Sequence, residues 1–189
     1  MLLYIHGFNS SAQSGKAQEL RRWLAARGRE AEWVCPDLPH QPQQAMAALE
    51  ATVQAATTPP KLVGSSLGGF YATVLAARHN LPAVLINPAV HPALILRPAL
   101  GTIQHSWHND SQYEFTQAHL DALQALDLVA PRYPEKLLLM QETGDETLDW
   151  QEAVAYYRHC HQLVFQGGDH GFTRFRDVLD LLDRFLAGF

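Results

Sequence analysis

The sequence predicts an α/β domain, a mostly parallel sheet of about six strands with helices on both faces. Three observations predict it. Short, nearly continuous apolar runs alternate with stretches in which apolar residues recur at helical spacing. The runs lack the in-out alternation of a half-exposed sheet, as strands covered on both faces do. The reactive residues Ser66, Asp145 and His170 all fall just past the carboxyl ends of such runs, where parallel sheets place their ligands.

The elements follow in order. Residues 2–6 form a brief apolar strand running into His6-Gly7-Phe8-Asn9-Ser10-Ser11, and 16–27 carry a helical pattern in Ala17, Leu20, Trp23, Leu24 and Arg27. A second strand at 31–35 ends in the turn Pro36-Asp37-Leu38-Pro39. A helix from Gln43 then places Met46, Leu49 and Val53 on one face. Pro59 and Pro60 open the third strand, which ends at Leu62-Val63. From Leu67 the residues Leu67, Phe70, Tyr71, Val74 and Leu75 mark a helix. Pro82 precedes the fourth strand, Ala83–Ile86, which stops at Asn87-Pro88. The fifth strand is Lys136–Gln141 and the sixth His161–Phe165, and a final amphipathic helix carries Phe175, Val178, Leu181, Leu182 and Phe185.

Residues 88–131 break this rhythm. They carry His91, His105, Trp107, His108, Tyr113 and Phe115, with one clear helix at 116–127. So long an irregular stretch inside one domain is uncommon and often functional. We expect a single domain spanning 1–189, with 88–131 as a lid or pocket wall whose apolar and aromatic residues suit an acyl group.

Composition narrows the function. A content of 47% hydrophobic and 17% charged residues is that of a globular protein, and no window is long and apolar enough for a membrane-spanning helix. The net charge of −5 supplies no basic face for nucleic acid or anionic membrane, so a small-molecule partner is expected. Met1 leads at once into strand residues, without the basic start and small-residue cleavage site of a secretory signal, which points to the cytoplasm. Cys35 and Cys160, far apart and outside any C-x-x-C, read as small apolar fillers.

The chemistry centres on Gly64-Ser65-Ser66-Leu67-Gly68, a G-x-S-x-G pattern at a strand-to-helix turn. A serine there is held in a strained backbone, which needs neighbours without bulk. Alone the pattern is weak, since glycines also serve ordinary tight turns. An acid and a histidine following in the order Ser, Asp, His strengthen it. A serine hydroxyl needs a base to act as nucleophile; histidine can take the proton and return it, and a carboxylate on its far nitrogen fixes the tautomer. Ser66 is therefore the expected nucleophile, His170 the base and Asp145 the acid. Glu146, Asp149 and Asp169 compete for the last role. Asp149 better caps the helix starting near Trp150, and Asp169 adjoins His170, where neighbouring side chains point apart. The backbone N–H groups of Phe8 and Leu67 are the expected oxyanion hole, each such donor being worth about 2.7–4 kcal/mol of barrier stabilisation. His6 is expected to hydrogen-bond within its own loop.

Two patterns point elsewhere and fail. Gly15-Lys16 falls short of a phosphate-binding loop, which would need glycine at Ser10 and Ser or Thr at Ala17. The pairs His159/His161 and His105/His108 lack the H-E-x-x-H or cysteine partners of a metal site, so no metal is expected.

Five segments together resemble the α/β-hydrolases, and more narrowly the small bacterial esterases of the YqiA/YcfP type. These are Tyr4–Ser11, Gly64–Gly69, Ile86–Ala89, Thr143–Glu146 with Leu148-Asp149, and Gly168–Phe172. The resemblance implies a reduced α/β-hydrolase fold lacking the usual first two strands. It further implies a cofactor-independent esterase or acyl-thioesterase, acting through an acyl-enzyme intermediate, with Ser66, Asp145 and His170 in the triad roles. The substrate-binding residues are unknown at this level. The same residues are open to peptide or lactone hydrolysis, and the fold to ligand binding without turnover.

Overall fold

A computed structural model describes residues 1–106 and 111–189. Trp107 and His108, singled out above, lie outside the described residues. Six strands form one parallel sheet in the order β2-β1-β3-β4-β7-β8. They are β1 (Leu2–Ile5), β2 (Trp33–Val34), β3 (Lys61–Ser65), β4 (Ala83–Ile86), β7 (Leu137–Glu142) and β8 (His161–Phe165). The remaining two, β5 (Ile103–His105) and β6 (Gln112–Glu114), pair antiparallel as a separate hairpin. The helices are α1 (Gly15–Ala25), α2 (Pro42–Ala55), α3 (Leu67–His79), α4 (Pro92–Ile95), α5 (Gln117–Leu126), α6 (Trp150–Tyr156) and α7 (Leu179–Ala187).

Alternate residues of each strand feed two cores. Leu3, Ile5, Leu62, Leu85, Leu137 and Leu139 face one side, beneath α2, α3, α5 and α6. Leu2, Tyr4, Val63, Val84, Leu138 and Met140 face the other, beneath α1 and α7. This two-sided burial is why the central strands read as unbroken apolar runs. It also explains α3, whose residues from Leu67 to Ala77 are all buried.

Four expectations are corrected. The second strand shortens to two residues, and the fifth shifts by one to end on Glu142. Leu181 is exposed, because Phe175–Val178 form a 3₁₀ turn that breaks the helical phase. The buried face of α7 is instead Leu179, Leu182 and Leu186. The stretch 88–131 is also more structured than its sequence pattern suggested, holding α4, the β5/β6 hairpin and α5 among its described residues.

Candidate active site

The parallel sheet sends β3, β4, β7 and β8 to the same edge, and the residues singled out above meet there. Ser66 joins β3 to α3 with φ 55° and ψ −124°, a strained conformation for any residue with a side chain. Glycine is required on both sides for a reason of space. A Cβ on Gly64 would stand 2.3 Å from the Gly68 carbonyl oxygen, and one on Gly68 would stand 2.0 Å from that of Ile5. The turn can close only if α3 lies directly on the end of β1.

His170 sits in the loop after β8. Its Nε2 is 3.1 Å from the Ser66 hydroxyl, and its Nδ1 lies 3.0 and 2.9 Å from the two carboxylate oxygens of Asp145. With Nδ1–H donating to Asp145, Nε2 is left to accept from Ser66. Asp145 lies past β7, its side chain wholly shielded from solvent. It also accepts from the backbone N–H groups of Thr147 (2.9 Å) and Leu148 (2.8 Å). Burial works to raise its carboxyl. The hydrogen bonds from His170 and Leu148, the His170 charge and the Thr147 N–H outweigh it, and the group is held below the usual carboxylate range.

The competing acids are engaged elsewhere. Asp149 caps α6 by accepting from Gln151 N–H at 2.8 Å. Glu146 accepts the His170 backbone N–H at 3.0 Å, so it touches the loop and not the ring. Asp169 contributes its backbone, as described below.

On the other side of Ser66 runs the loop after β1. A Cβ on Gly7 would lie 3.2 Å from the Ser66 Cβ, so this backbone passes against the hydroxyl-bearing residue. Within the described residues no hydrogen bond engages the Phe8 N–H. Leu67 opens α3, where an N–H has no partner in a preceding turn. His6 bonds within its own loop and beyond it: Nδ1 pairs with the Gly7 carbonyl at 3.0 Å, and Nε2 accepts from the N–H of Leu38, in the loop after β2, at 3.1 Å.

A cleft of about 810 Å³ opens over Ser66 and His170. Its lining includes the apolar Phe8, Ala89, Pro92, Ile95, Leu96 and Leu148 and the polar Ser14, Lys16, Glu19 and Thr173. Lys16 is spoken for by the Gly171 carbonyl at 2.7 Å. Among the described residues no group of three or more His, Cys, Asp or Glu side chains is gathered as a metal site. Nor is any described helix long and apolar enough to cross a membrane.

Two residues that bond the His170 loop, Asn87 and Glu142, were given no role in the sequence reading. Both are fully buried, and a carboxylate ending a strand that opens with four apolar residues, Leu137 to Met140, was the available signal.

Similar architectures occur among solved structures. Est1E from Butyrivibrio proteoclasticus, with ferulic acid bound, superposes with a TM-score of 0.71 at 16% identity, covering 99% of this chain and 88% of that one. Mouse alpha/beta hydrolase domain-containing protein 10 gives 0.71 at 16%, covering 97% and 89%. A structure of the metagenome-derived lipolytic enzymes LipS and LipT gives 0.70 at 18%, covering 100% and 93%. With its six-stranded parallel sheet, the chain has the α/β-hydrolase fold. It belongs to the Uncharacterised protein family UPF0227, whose model matches residues 1–187, in line with the YqiA/YcfP-type resemblance.

Proposed function

We propose that this protein is a serine esterase, hydrolysing carboxylic esters or acyl thioesters of small molecules. The observation that carries the reading is the unbroken path Asp145 to His170 to Ser66, opening into an apolar-walled cleft. Ser66 attacks the acyl carbonyl while His170 Nε2 takes its proton, and Asp145 stabilises the imidazolium. The Phe8 and Leu67 N–H groups receive the negative charge that develops on the carbonyl oxygen. His170 then returns the proton to the departing alcohol or thiol, leaving an acyl group on Ser66. Water, deprotonated by the same histidine, releases the acid and restores the serine. The wall of Ala89, Pro92, Ile95 and Leu96 comes from the 88–131 excursion, which we read as the pocket wall for the acyl chain. The fold neighbours include Est1E with ferulic acid bound and enzymes called lipolytic, which supports the same class.

Steady-state hydrolysis of p-nitrophenyl acetate and butyrate by wild type and Ser66→Ala tests it. Turnover by the wild type and none above background in the variant is the expected result. A folded wild type that turns over neither ester would count against the esterase reading.

A further inference from the structure

The loop that carries His170 is held by side chains from three other parts of the chain. Glu142 Oε2 accepts the backbone N–H groups of Asp169 at 2.9 Å and Thr173 at 3.1 Å, and Oε1 accepts the Thr173 hydroxyl at 3.1 Å. Arg174 Nη1 lies 3.3 Å from Oε1. Asn87, at the end of β4, donates from Nδ2 to the carbonyls of Asp169 (3.0 Å) and His170 (3.3 Å). The two clamps are themselves joined, because the Glu142 N–H donates to Asn87 Oδ1 at 2.9 Å. Lys16 and Glu146 complete the set, on the Gly171 carbonyl and the His170 N–H.

Such a use of a charge needs a reason. Glu142 is 0% exposed, and a carboxylate taken out of water is costly unless nearly every lone pair is satisfied. A surface turn of five residues could have been closed by its own backbone. Instead the fold gives it a buried anion, and even Gly168 is shaped to that anion: its φ is +78°, and a Cβ there would fall 1.9 Å from Oε2. Carboxylate and amide together grip the loop immediately before, at and three residues after the imidazole-bearing position. They therefore fix where the ring can stand between Asp145 and Ser66.

We infer that Glu142, braced by Asn87, is a positioning residue for His170. It touches neither substrate nor the reacting atoms and acts by holding the imidazole in line with Ser66 and Asp145. The inference rests on the reading of His170 as the base. Loss of alignment of about 1 Å lowers turnover by about 100-fold, with little effect on a ground state held by the cleft walls.

The test compares wild type, Glu142→Gln and Asn87→Ala in ester hydrolysis, with thermal unfolding and low-field proton NMR on the same samples. Glu142→Gln keeps shape and volume but turns one of the two acceptor oxygens into an NH2 donor, so either the Asp169 and Thr173 N–H groups or the Arg174 guanidinium lose their acceptor while the side chain still fills its place. The expected result is a kcat lower by about 10- to 100-fold with KM within about threefold. In parallel, the low-field imidazole N–H signal bonded to Asp145, assigned by its loss in His170→Ala, should broaden or vanish. Should Asn87→Ala fail to fold, Glu142→Gln alone decides. A folded Glu142→Gln with wild-type kcat and an unchanged N–H signal overturns the inference while leaving the esterase reading intact. If the wild type is inactive, the esterase reading falls. The NMR comparison, which needs no turnover, then decides by itself whether Glu142 holds the ring: an unchanged signal overturns the positioning role and a lost one supports it.

Discussion

The two regions bordering the cleft are built in opposite ways. The loop bearing His170 is short, and the backbone of Asp169, His170 and Thr173 is bonded to the buried side chains of Asn87 and Glu142 at the ends of β4 and β7. The excursion between β4 and β7 rests on aromatic and histidine contacts. Tyr113 stacks on His40 at 4.0 Å between ring centres, His40 pairs with His119 at 3.2 Å, and Phe115 lies over His119 at 4.9 Å. It meets the loop after β1 through Asn9, which donates to Gln104 and accepts from the Tyr113 hydroxyl. It also leaves Leu94, Leu100 and Ile103 exposed. Stacked rings and apolar walls tolerate exchange of similar volumes, whereas a buried carboxylate bonded from several sides does not. The proposed chemistry and the proposed choice of substrate would thus rest on separable parts of the fold.

The sharpest break on the chemical side comes from the reacting groups. Ser66→Ala is expected to remove essentially all turnover, and Asp145→Asn to lower kcat by about 10⁴-fold, with both variants folded by circular dichroism. Retained activity in either would place the chemistry elsewhere. Next comes Gly68→Ala, in which the added methyl meets the Ile5 carbonyl. A loss of about 3 kcal/mol or more in urea unfolding is expected, and a wild-type midpoint would contradict the close approach of α3 to β1.

On the pocket-wall side the expected effects are smaller. Leu96→Ala opens the wall and should shift preference from acetate towards longer acyl esters by about 10-fold in kcat/KM, with kcat for acetate little changed. An unchanged chain-length profile would separate the excursion from substrate choice.

The smallest effect concerns pH. Burial, and then the neighbouring His40, hold His119 below the usual histidine range. A histidine whose folded pKa is depressed binds fewer protons folded than unfolded. Stability therefore falls as pH drops through the ordinary histidine value of about 6.5, and goes on falling until the lower folded value is passed. His119→Asn should flatten that part of the curve of unfolding free energy against pH, and equal slopes in the two proteins would sink the assignment. Asp145 acts with the same sign in a lower pH window. Its depressed carboxyl contributes stability above the ordinary carboxylate value that is lost as pH falls through the lower folded one.

Much of the site was legible because its signals are local. Gly64 to Gly68 fixes a turn within five residues, and Asp145 and His170 follow strands whose apolar runs are unmistakable. What escaped depends on distance along the chain. Glu142 takes its meaning from residues 169–174, and Asn87 from residues 82 and 83 positions away, which no window contains. The β5/β6 hairpin escaped for another reason: strands of three residues carry too little alternation to be read. Leu181 misled because a 3₁₀ turn shifted the helical phase ahead of it.

The measurement that tests the central claim most directly is labelling with a fluorophosphonate probe, followed by mass spectrometry of the modified peptide. The account predicts one adduct, on Ser66, that fails to form in Ser66→Ala and forms slowly in His170→Ala. A folded protein that stays unlabelled, or carries its label on another residue, would contradict it.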